Sequence, residues 1–292
     1  MNAKLISTHA LTPLHPGTGQ GVGVIDLPIA REVSTGLPYL PGSSLKGVLR
    51  DEARKPVFSE NKQENTKMRH AIFGPDTQNA SDHAGSVQFT DQRLLLFPVR
   101  SLRGTFAWVT SPLVLRRFAR DVASTDLTGL PAVPKIEKVE EYIVSSGRTL
   151  VDNDKIYLED LDLTEPRSTE NGWGQWLADN LFDEAWRHTF QERFCIVHDD
   201  ILSFLLQTAT EVVARIRLDK DSKTVAKGGL WYEEALPAET ILAGLVIATP
   251  IEASKEQVFS AIKTLTAQPV QVGGNATVGR GICQLRVEEG GD

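Results

Sequence analysis

ILAGLVIAT (241–249), SKEQVFSAIKTL (254–265) and ICQLRV (282–287) follow one another near the C-terminus and decide the fold. The first is a short continuous apolar run, which is typical of a buried strand. The second has apolar residues at helical spacing, and Ser254 followed by Gln257 predicts a capping box at its N-terminus. The third is a short apolar run bounded by glycine. The three segments therefore predict a strand–helix–strand unit.

The first half of the chain supplies a matching unit. Residues 3–15 favour a strand, and a helix is predicted over 44–55, with Ser43 or Ser44 as its cap and Pro56 as its stop. Mostly extended patterns follow over 86–110. The combined order of strand, helix, strands, helix and strand predicts an α+β fold. Its core is expected to be a ferredoxin-like βαββαβ unit, in which helices cover one face of an antiparallel sheet.

Two further segments are predicted to be added to this core, within a single domain spanning residues 1–292. Residues 121–200 hold 18 acidic and 7 basic residues and include the aromatic sequence GWGQWLADNLFDEAWRHTF (172–190). We interpret 121–200 as an acidic helical insertion that docks on the main body. VVARIRL and GGLWYEEAL flank a polar tip, which predicts a long β-hairpin over 211–236.

Charge and cysteine content limit the class of protein. The net charge is −7, but residues 1–120 carry +6 and the acidic block −11, so the total does not exclude a polyanionic partner. Cys195 and Cys283 lie in apolar runs and are predicted to be free thiols in a reducing compartment. No signal peptide is recognisable, and the longest apolar run is too short to span a bilayer. These features predict a cytoplasmic protein without a membrane partner.

Basic residues of the predicted helix 44–55 are candidates for phosphate binding. Lys46, Arg50 and Arg54 are four residues apart and form one stripe, while the leucines face the core. A basic stripe that begins at a helix N-terminus suits a run of phosphates. The alternative is a solvated face with local acidic partners, and the pattern alone does not decide between them. Gly47 is costly inside a helix, so we expect a close packing contact there.

The hairpin and a glycine-rich loop are further candidates for binding. Arg215 and Arg217 share one face of a strand, and they either reach a nucleic acid or keep an exposed edge soluble. The loop 273–281 holds four glycines and Arg280, and its peptide N–H groups with a guanidinium form a plausible phosphate cradle. A tight connection whose glycines serve packing is the alternative that the loop alone favours.

Candidates for catalysis are isolated, since no Ser-His-Asp arrangement, HExxH motif or phosphate-binding P-loop is present. Asp26 lies just after a glycine-rich stretch and His15 just before it. A carboxylate in such a loop can bind a hydrated divalent ion or act as a base on a ribose 2′-hydroxyl. A simple turn residue is the alternative. Glu233, which follows the hairpin tip, is a candidate for an assisting role.

Five blocks in this order resemble one protein family. They are LTPLHPGTGQGVGVIDLPIARE (11–32), STGLPYLPGSSLKGVLR (34–50), DQRLLLFPVRSLRGTFAWVTSP (91–112), LWYEEALP (230–237) and VGGNATVGRG (272–281). The family is that of the RAMP superfamily backbone subunits of type III-B CRISPR effector complexes (the Cmr module), whose members cleave target RNA. The resemblance is weakest across the acidic block and the hairpin tip.

The resemblance implies a core derived from the RNA recognition motif, copies stacked head to tail along a CRISPR guide RNA, and further Cmr-module subunits as partners. It implies that the hairpin acts as a thumb that displaces nucleotides of the guide–target duplex. Target RNA is then cut at regular intervals by a loop aspartate with a divalent metal, Mg²⁺ or Mn²⁺. Asp26 stands at the catalytic and metal-binding position, and His15 lies within the N-terminal motif. The residues implied to contact RNA are Arg31, Lys46, Arg50, Gly273, Gly274 and Arg280.

Two other functions are left open by the sequence. A purely structural filament subunit would bind the guide without cutting RNA itself. An endonuclease that processes the guide precursor would need a catalytic histidine, for which His15 is the candidate.

Overall fold

The computed structural model describes residues 2–18, 25–76, 83–145, 149–167, 172–220, 222 and 224–288. Within this part of the chain the fold is mixed α+β, as predicted, with a large central sheet. The strands are β1 (Ala3–Ala10), β2 (Tyr39–Leu40), β3 (Val87–Phe89), β4 (Gln92–Arg100), β5 (Phe106–Thr110), β6 (Glu141–Val144), β7 (Ile156–Leu158), β8 (Leu161–Leu163), β9 (Glu165–Pro166), β10 (Phe194–Val197), β11 (Glu211–Leu218), β12 (Val225–Ala235), β13 (Ile241–Ala248), β14 (Val270–Gln271) and β15 (Ile282–Val287). The helices are α1 (Gly42–Glu52), α2 (Lys62–Phe73), α3 (Pro112–Val122), α4 (Trp173–Leu181), α5 (Glu184–Arg193), α6 (Asp199–Thr208) and α7 (Lys255–Leu265).

The central sheet has the strand order β14-β15-β1-β13-β4-β5-β10-β6-β9, with β2 paired to β4 and β3 to β13. From β14 to β5 the neighbouring strands are antiparallel. The pairs β5–β10 and β6–β9 are parallel, so the sheet as a whole is mixed. The strands β1 and β13 lie inside the sheet and are buried along almost their whole length, as expected where both faces of a sheet are covered.

The elements predicted near the C-terminus are confirmed. The strand β13, the helix α7 and the strand β15 lie where the apolar patterns place them, and Ser254 and Gln257 form the predicted capping box. The helix α1 begins at Gly42, two residues before the prediction, and has no side-chain cap. Gly42 fits here because an added Cβ would lie 2.3 Å from the carbonyl oxygen of Phe89.

The packing contact expected at Gly47 is absent from the described part of the chain. A Cβ built on this residue meets no atom within 4 Å, so Gly47 faces open space. The glycine therefore lowers the helix propensity of α1 without serving a contact inside the described molecule.

The acidic block 121–200 differs from the helical insertion that we expected. It contains α4 and α5, but its strands β10, β6 and β9 extend the central sheet beyond β5. The segments EYIV and FCIV, which form β6 and β10, are buried along their whole length. Four-residue apolar runs carry no helical or alternating period, which is why the sequence pattern missed them. The block is continuous with the sheet rather than docked on it.

The hairpin predicted over 211–236 is present as a separate two-stranded sheet. Its register runs from Glu211 opposite Ala235 to Leu218 opposite Val225, with an irregularity after Ile216. Several of its large apolar side chains are about half exposed, namely Val212, Ile216, Leu218, Val225, Leu230 and Tyr232. The hairpin thus presents an apolar surface outward as well as its basic residues.

Cys195 and Cys283 are buried free cysteines, as predicted. Burial raises the pKa of the Cys283 thiol to about 12, and it raises the pKa of Cys195 further. Both groups therefore stay protonated and unreactive at neutral pH. Among the described helices none has the length and apolar character needed to cross a bilayer.

Glu288, just after β15, is expected to make stability depend on pH. Burial raises its pKa from 4.5 to about 7, although the Ser7 hydroxyl donates to it at 3.1 Å. Between these two values the folded state binds the proton more tightly, so stability falls as pH rises. We expect a loss of roughly 1–2 kcal/mol between about pH 5 and pH 8, which Glu288→Gln should abolish. Urea denaturation across this range measures it, and an unchanged pH dependence in the variant would refute the assignment.

Candidate nucleic-acid interface

The loop that carries Asp26 is held against the strand β12 at the foot of the hairpin. The peptide N–H of Leu27 donates to the carbonyl of Tyr232 at 3.1 Å, and the N–H of Glu234 donates to the carbonyl of Leu27 at 2.9 Å. Asp26 Oδ2 accepts the Tyr232 N–H at 2.8 Å. The side chain is exposed, so the other carboxylate oxygen faces solvent. The loop therefore fixes one carboxylate beside the hairpin with an oxygen free to act on a ligand.

Glu234, on β12, holds the loop that carries Asp26 through its side chain. Its carboxylate is buried and accepts the Ile29 N–H at 3.1 Å and Arg31 Nη2 at 2.6 Å. Arg31 also donates to the carbonyls of Gly36 and Leu206. We expected Arg31 to contact RNA. In the structure its guanidinium instead donates to partners within the chain, namely Glu234 and the carbonyls of Gly36 and Leu206. Arg31 acts here as a link between the loop, α6 and the hairpin.

Glu233 lies on the opposite side of β12 and is also buried. One of its oxygens accepts Trp231 Nε1 at 2.9 Å, and the other accepts Arg215 Nε at 3.2 Å and Asn275 Nδ2 at 3.1 Å. A carboxylate with three donors has little capacity left for a substrate proton or a metal. We expected Glu233 to assist catalysis, but in the structure its carboxylate serves as a buried acceptor for three side chains. It joins both hairpin strands to the glycine loop.

His15 is buried between the Asp26 loop and the glycine loop. Its Nδ1 lies 2.6 Å from the carbonyl oxygen of Glu234, and a carbonyl can only accept, so Nδ1 carries a proton. The carbonyl of His15 accepts the Gly274 N–H at 3.0 Å. A Cβ on Gly17 would lie 2.6 Å from its Nε2. The ring is thus enclosed, and its contacts are those of a residue that positions two loops.

The glycine loop is approached by the chain's own backbone. A Cβ on Gly273 would lie 2.5 Å from the His15 oxygen, and a Cβ on Gly281 would lie 1.9 Å from the Val272 oxygen. Both glycines also have positive φ, +79° and +74°. The packing interpretation therefore holds for Gly273, Gly274 and Gly281. Arg280 is only 8% exposed, and its nearest charged partner is Glu211, at 3.7 Å, so it does not face solvent as an RNA contact would.

The basic residues of α1 and of the hairpin differ in exposure. Lys46 Nζ donates to the Val87 carbonyl at 3.2 Å, and burial, assisted by Arg50, lowers its pKa. Arg54 is exposed and lies 3.2 Å from Asp51, while Arg50 donates to Asp76 at 3.0 Å. In the hairpin, Arg217 is exposed and Arg215 is partly buried against Glu233. The stripe on α1 is thus present, with local acidic partners at two of its three residues.

Sequence reasoning missed the residues that hold these parts together. Asn275 has a left-handed backbone, with φ of +63°, and turns its amide toward Glu233. Tyr232 contributes its peptide N–H to Asp26 rather than its ring. An asparagine among four glycines was a signal for a left-handed turn, whereas a peptide contact leaves no trace in the sequence.

Among the described residues of this site, Asp26 has the exposed carboxylate that could hold a metal ion. No group of three or more His, Cys, Asp or Glu in the described ranges is arranged to hold a metal. A single exposed carboxylate fits a hydrated Mg²⁺ that takes its other ligands from water and substrate phosphates, which is common for this ion. A cleft of about 370 Å³ beside the loop, lined by Ile25, Pro28, Leu37 and Leu206, leaves room for part of a ligand.

Asn275→Ala is expected to loosen the foot of the hairpin. The change removes one of three donors to a buried carboxylate and a residue that tolerates positive φ, so we expect a loss of about 1–2 kcal/mol. Hydrogen exchange should become faster in 211–218 and 225–235 but not in β1 or β13. Asn180→Ala, on α4, is the control and should leave the hairpin unchanged. Equal exchange in both variants would show that Asn275 does not hold the hairpin.

Fold and site together define a class: an α+β protein with a large central sheet and a separate two-stranded hairpin, at whose foot an exposed carboxylate is bonded to the backbone. The profile of the RAMP superfamily matches residues 9–284. The chain belongs to the RAMP superfamily, as its sequence blocks indicated.

Within this superfamily, the chain is similar to individual proteins named Cmr4. The chain is 36% identical to the CRISPR system Cmr endoribonuclease Cmr4 of Pyrococcus furiosus, over 99% of this chain and 97% of that protein. It is 26% identical to the CRISPR system CMR subunit Cmr4 of Saccharolobus solfataricus, over 95% and 94%. The crystal structure of oligomeric Cmr4 from Pyrococcus furiosus superposes with a TM-score of 0.75 at 29% identity, covering 99% of both chains.

Proposed function

We propose that this chain is the guide-RNA-binding backbone subunit of a type III-B CRISPR effector complex and that it cleaves complementary target RNA. The proposal is supported by a curated relative, 36% identical over nearly the whole chain, that is named as a Cmr endoribonuclease. The observation that carries it is the exposed Asp26 carboxylate, fixed by the Tyr232 N–H at the foot of the hairpin. The purely structural alternative is not favoured, because the relative bears the name of an enzyme.

The core and the hairpin have the roles implied by the family in this proposal. The order β15-β1-β13-β4, antiparallel throughout and with α1 and α7 as crossovers, supports a ferredoxin-like core. The hairpin acts as the thumb that displaces a nucleotide, which its half-exposed apolar side chains and basic residues suit. Copies stack head to tail along the guide with other Cmr-module subunits in the cytoplasm. The 29% identical oligomeric structure supports self-association.

Specificity for the target comes from base pairing with the guide, so the protein needs to recognise only the backbone of the RNA. A displaced nucleotide brings its ribose 2′-hydroxyl in line with the adjacent phosphate, and this geometry supplies much of the rate. Asp26 accepts the hydroxyl proton or orients the hydroxyl. The expected products are a 2′,3′-cyclic phosphate and a 5′-hydroxyl.

A divalent ion, Mg²⁺ or Mn²⁺, would be held by Asp26 and the substrate. When bound, it would neutralise negative charge on the phosphate that is cut. The chain's own residues provide the rest: Tyr232 fixes the carboxylate, Glu234 and Arg31 fix the loop, and Glu233 with Asn275 fixes the hairpin.

Reconstitution of the complex tests the proposal. Complementary RNA labelled at one end should be cut into a regular ladder with one interval per copy of this chain, and a non-complementary RNA should stay intact. A single cut, or an intact target in a complex that binds it, would favour the structural alternative.

A further inference from the structure

Arg50, Arg69 and His70 converge on the carboxylate of Asp76, between α1 and α2. Asp76 Oδ1 accepts Arg50 Nη2 at 3.0 Å, and its Oδ2 lies 3.2 Å from both Arg69 Nη2 and His70 Nε2. The Arg69 and His70 nitrogens are themselves 3.0 Å apart. Because an arginine can only donate, His70 Nε2 either accepts from Arg69 or donates to Asp76, so the carboxylate faces two arginine donors and one histidine nitrogen.

The donors and the carboxylate differ in exposure. Arg69 is 7% exposed, whereas the Asp76 side chain is about half exposed. Arg50 has a second partner, the Pro75 carbonyl, at 2.6 Å from its Nη2. The less exposed donors therefore bind an anion that lies at the surface, where another anion can replace it.

We infer that Arg50, Arg69 and His70 form a binding site for a phosphate group of the RNA backbone, and that Asp76 occupies this site until RNA replaces it. The inference rests on the proposed function in taking RNA as the ligand. It assigns a role to α2, which neither the basic stripe nor the sequence blocks included.

Chemistry and surroundings both suit a phosphodiester. Arginine donors match the two non-bridging oxygens of a phosphodiester with two N–H groups, as they match the two oxygens of a carboxylate, so one anion can take the place of the other. A cleft of about 530 Å³, lined by Arg69, Asp76, Arg54 and Lys62 and also by Glu60, opens beside the cluster. Lys62 and Lys67 are exposed on α2 without an ion-pair partner among the described residues. A chain of phosphates, rather than one free phosphate, can use these neighbouring charges.

The test measures binding of a labelled single-stranded RNA of about 20 nucleotides to the full chain by fluorescence anisotropy, at several salt concentrations. Asp76→Asn should tighten binding by about fivefold, because the amide is a weaker competitor for Arg50, Arg69 and His70. Asp179→Asn is the matched control, since it removes the same charge from the exposed Asp179–Arg187 pair of α4 and α5 and should change Kd less than about twofold. His70→Gln and Arg69→Gln should both weaken binding, and Arg69→Gln, which removes a permanent charge, should also lower the salt slope by up to about 0.7.

The inference is overturned if Asp76→Asn binds RNA no more tightly than Asp179→Asn. Weaker binding by Asp76→Asn overturns it too, because Asp76 would then be a structural partner of Arg50. Inorganic phosphate at matched ionic strength distinguishes the source of the anion. Calorimetric binding of phosphate that depends on Arg69, with RNA affinity unchanged by Asp76→Asn, would assign the site to a free anion instead. His70→Gln keeps the test decisive if Arg69→Gln does not fold. Target cleavage reports on Asp26 separately, so either hypothesis can fail while the other holds.

Discussion

Asp26→Asn is expected to reduce target-RNA cleavage by the reconstituted complex by about a thousandfold or more, while guide binding changes less than about twofold. The carboxylate supplies the negative charge that accepts a proton or holds a metal ion, and an amide does neither. The amide oxygen can still accept the Tyr232 N–H, so the loop keeps its contact with the hairpin. Gel analysis of end-labelled target under single-turnover conditions measures the effect.

A second variant separates chemistry from position. Asp26→Ala removes both the charge and the acceptor for Tyr232, so it should be at least as inactive as the asparagine variant and should also loosen the loop. Glu252→Gln, which removes an exposed carboxylate away from the hairpin, is the control for loss of a surface charge and should cleave normally. Cleavage at the wild-type rate by Asp26→Asn would remove catalysis from this residue, and a defect shared by the control would point to charge rather than to the site.

Glu234→Ala is expected to destabilise the chain by about 3 kcal/mol, because it leaves the partly buried Arg31 and the Ile29 N–H without their acceptor. Cleavage should fall as well, since Leu27 and Asp26 depend on the same stretch of β12 for their position. Chemical denaturation measures the free energy of unfolding, and the ladder assay measures the loss of cutting. The control is Glu252→Ala, which removes an exposed carboxylate and should cost less than about 0.5 kcal/mol.

Removing both partners checks the cause of this effect. The double variant Arg31→Met with Glu234→Leu should recover part of the lost stability, because no charge is then left unpaired. If Glu234→Ala behaves like the Glu252 control, the ion pair does not hold the loop, and the positioning of Asp26 has to come from Tyr232 alone.

The parts of the fold that could be predicted are those with a clear period or a turn signal. We could predict the capping box at Ser254, the hairpin and the order of the core elements. In each case the side-chain pattern matches only one local structure. The strands β6 and β10 could not be predicted, because their four apolar residues suit a helix or a strand equally until neighbouring strands decide. The start of α1 was missed by two residues because backbone packing at Gly42, rather than a cap, sets it.

The sequence predicted the position of the exposed residue of the candidate site, Asp26, but it did not predict the contacts of the buried residues. Asp26 could be singled out by its place after a glycine-rich stretch. Arg31 and Arg280 were expected to contact RNA because of the family resemblance, and Glu233 was expected to assist catalysis because it follows the hairpin tip. The structure pairs Arg31 with Glu234, Glu233 with Arg215 and Arg280 with Glu211, and the first of these pairs joins residues 203 positions apart that no local pattern connects.

The hydrogen bond between Asp26 and the Tyr232 peptide has a mechanical consequence. The cluster of Glu233, Asn275 and Arg280 joins the hairpin to the rest of the chain at its foot. Asp26 is bonded to Tyr232 of β12 close to this cluster. Because Asp26 and the hairpin share this bond, a shift of β12 at Tyr232 would also shift the carboxylate.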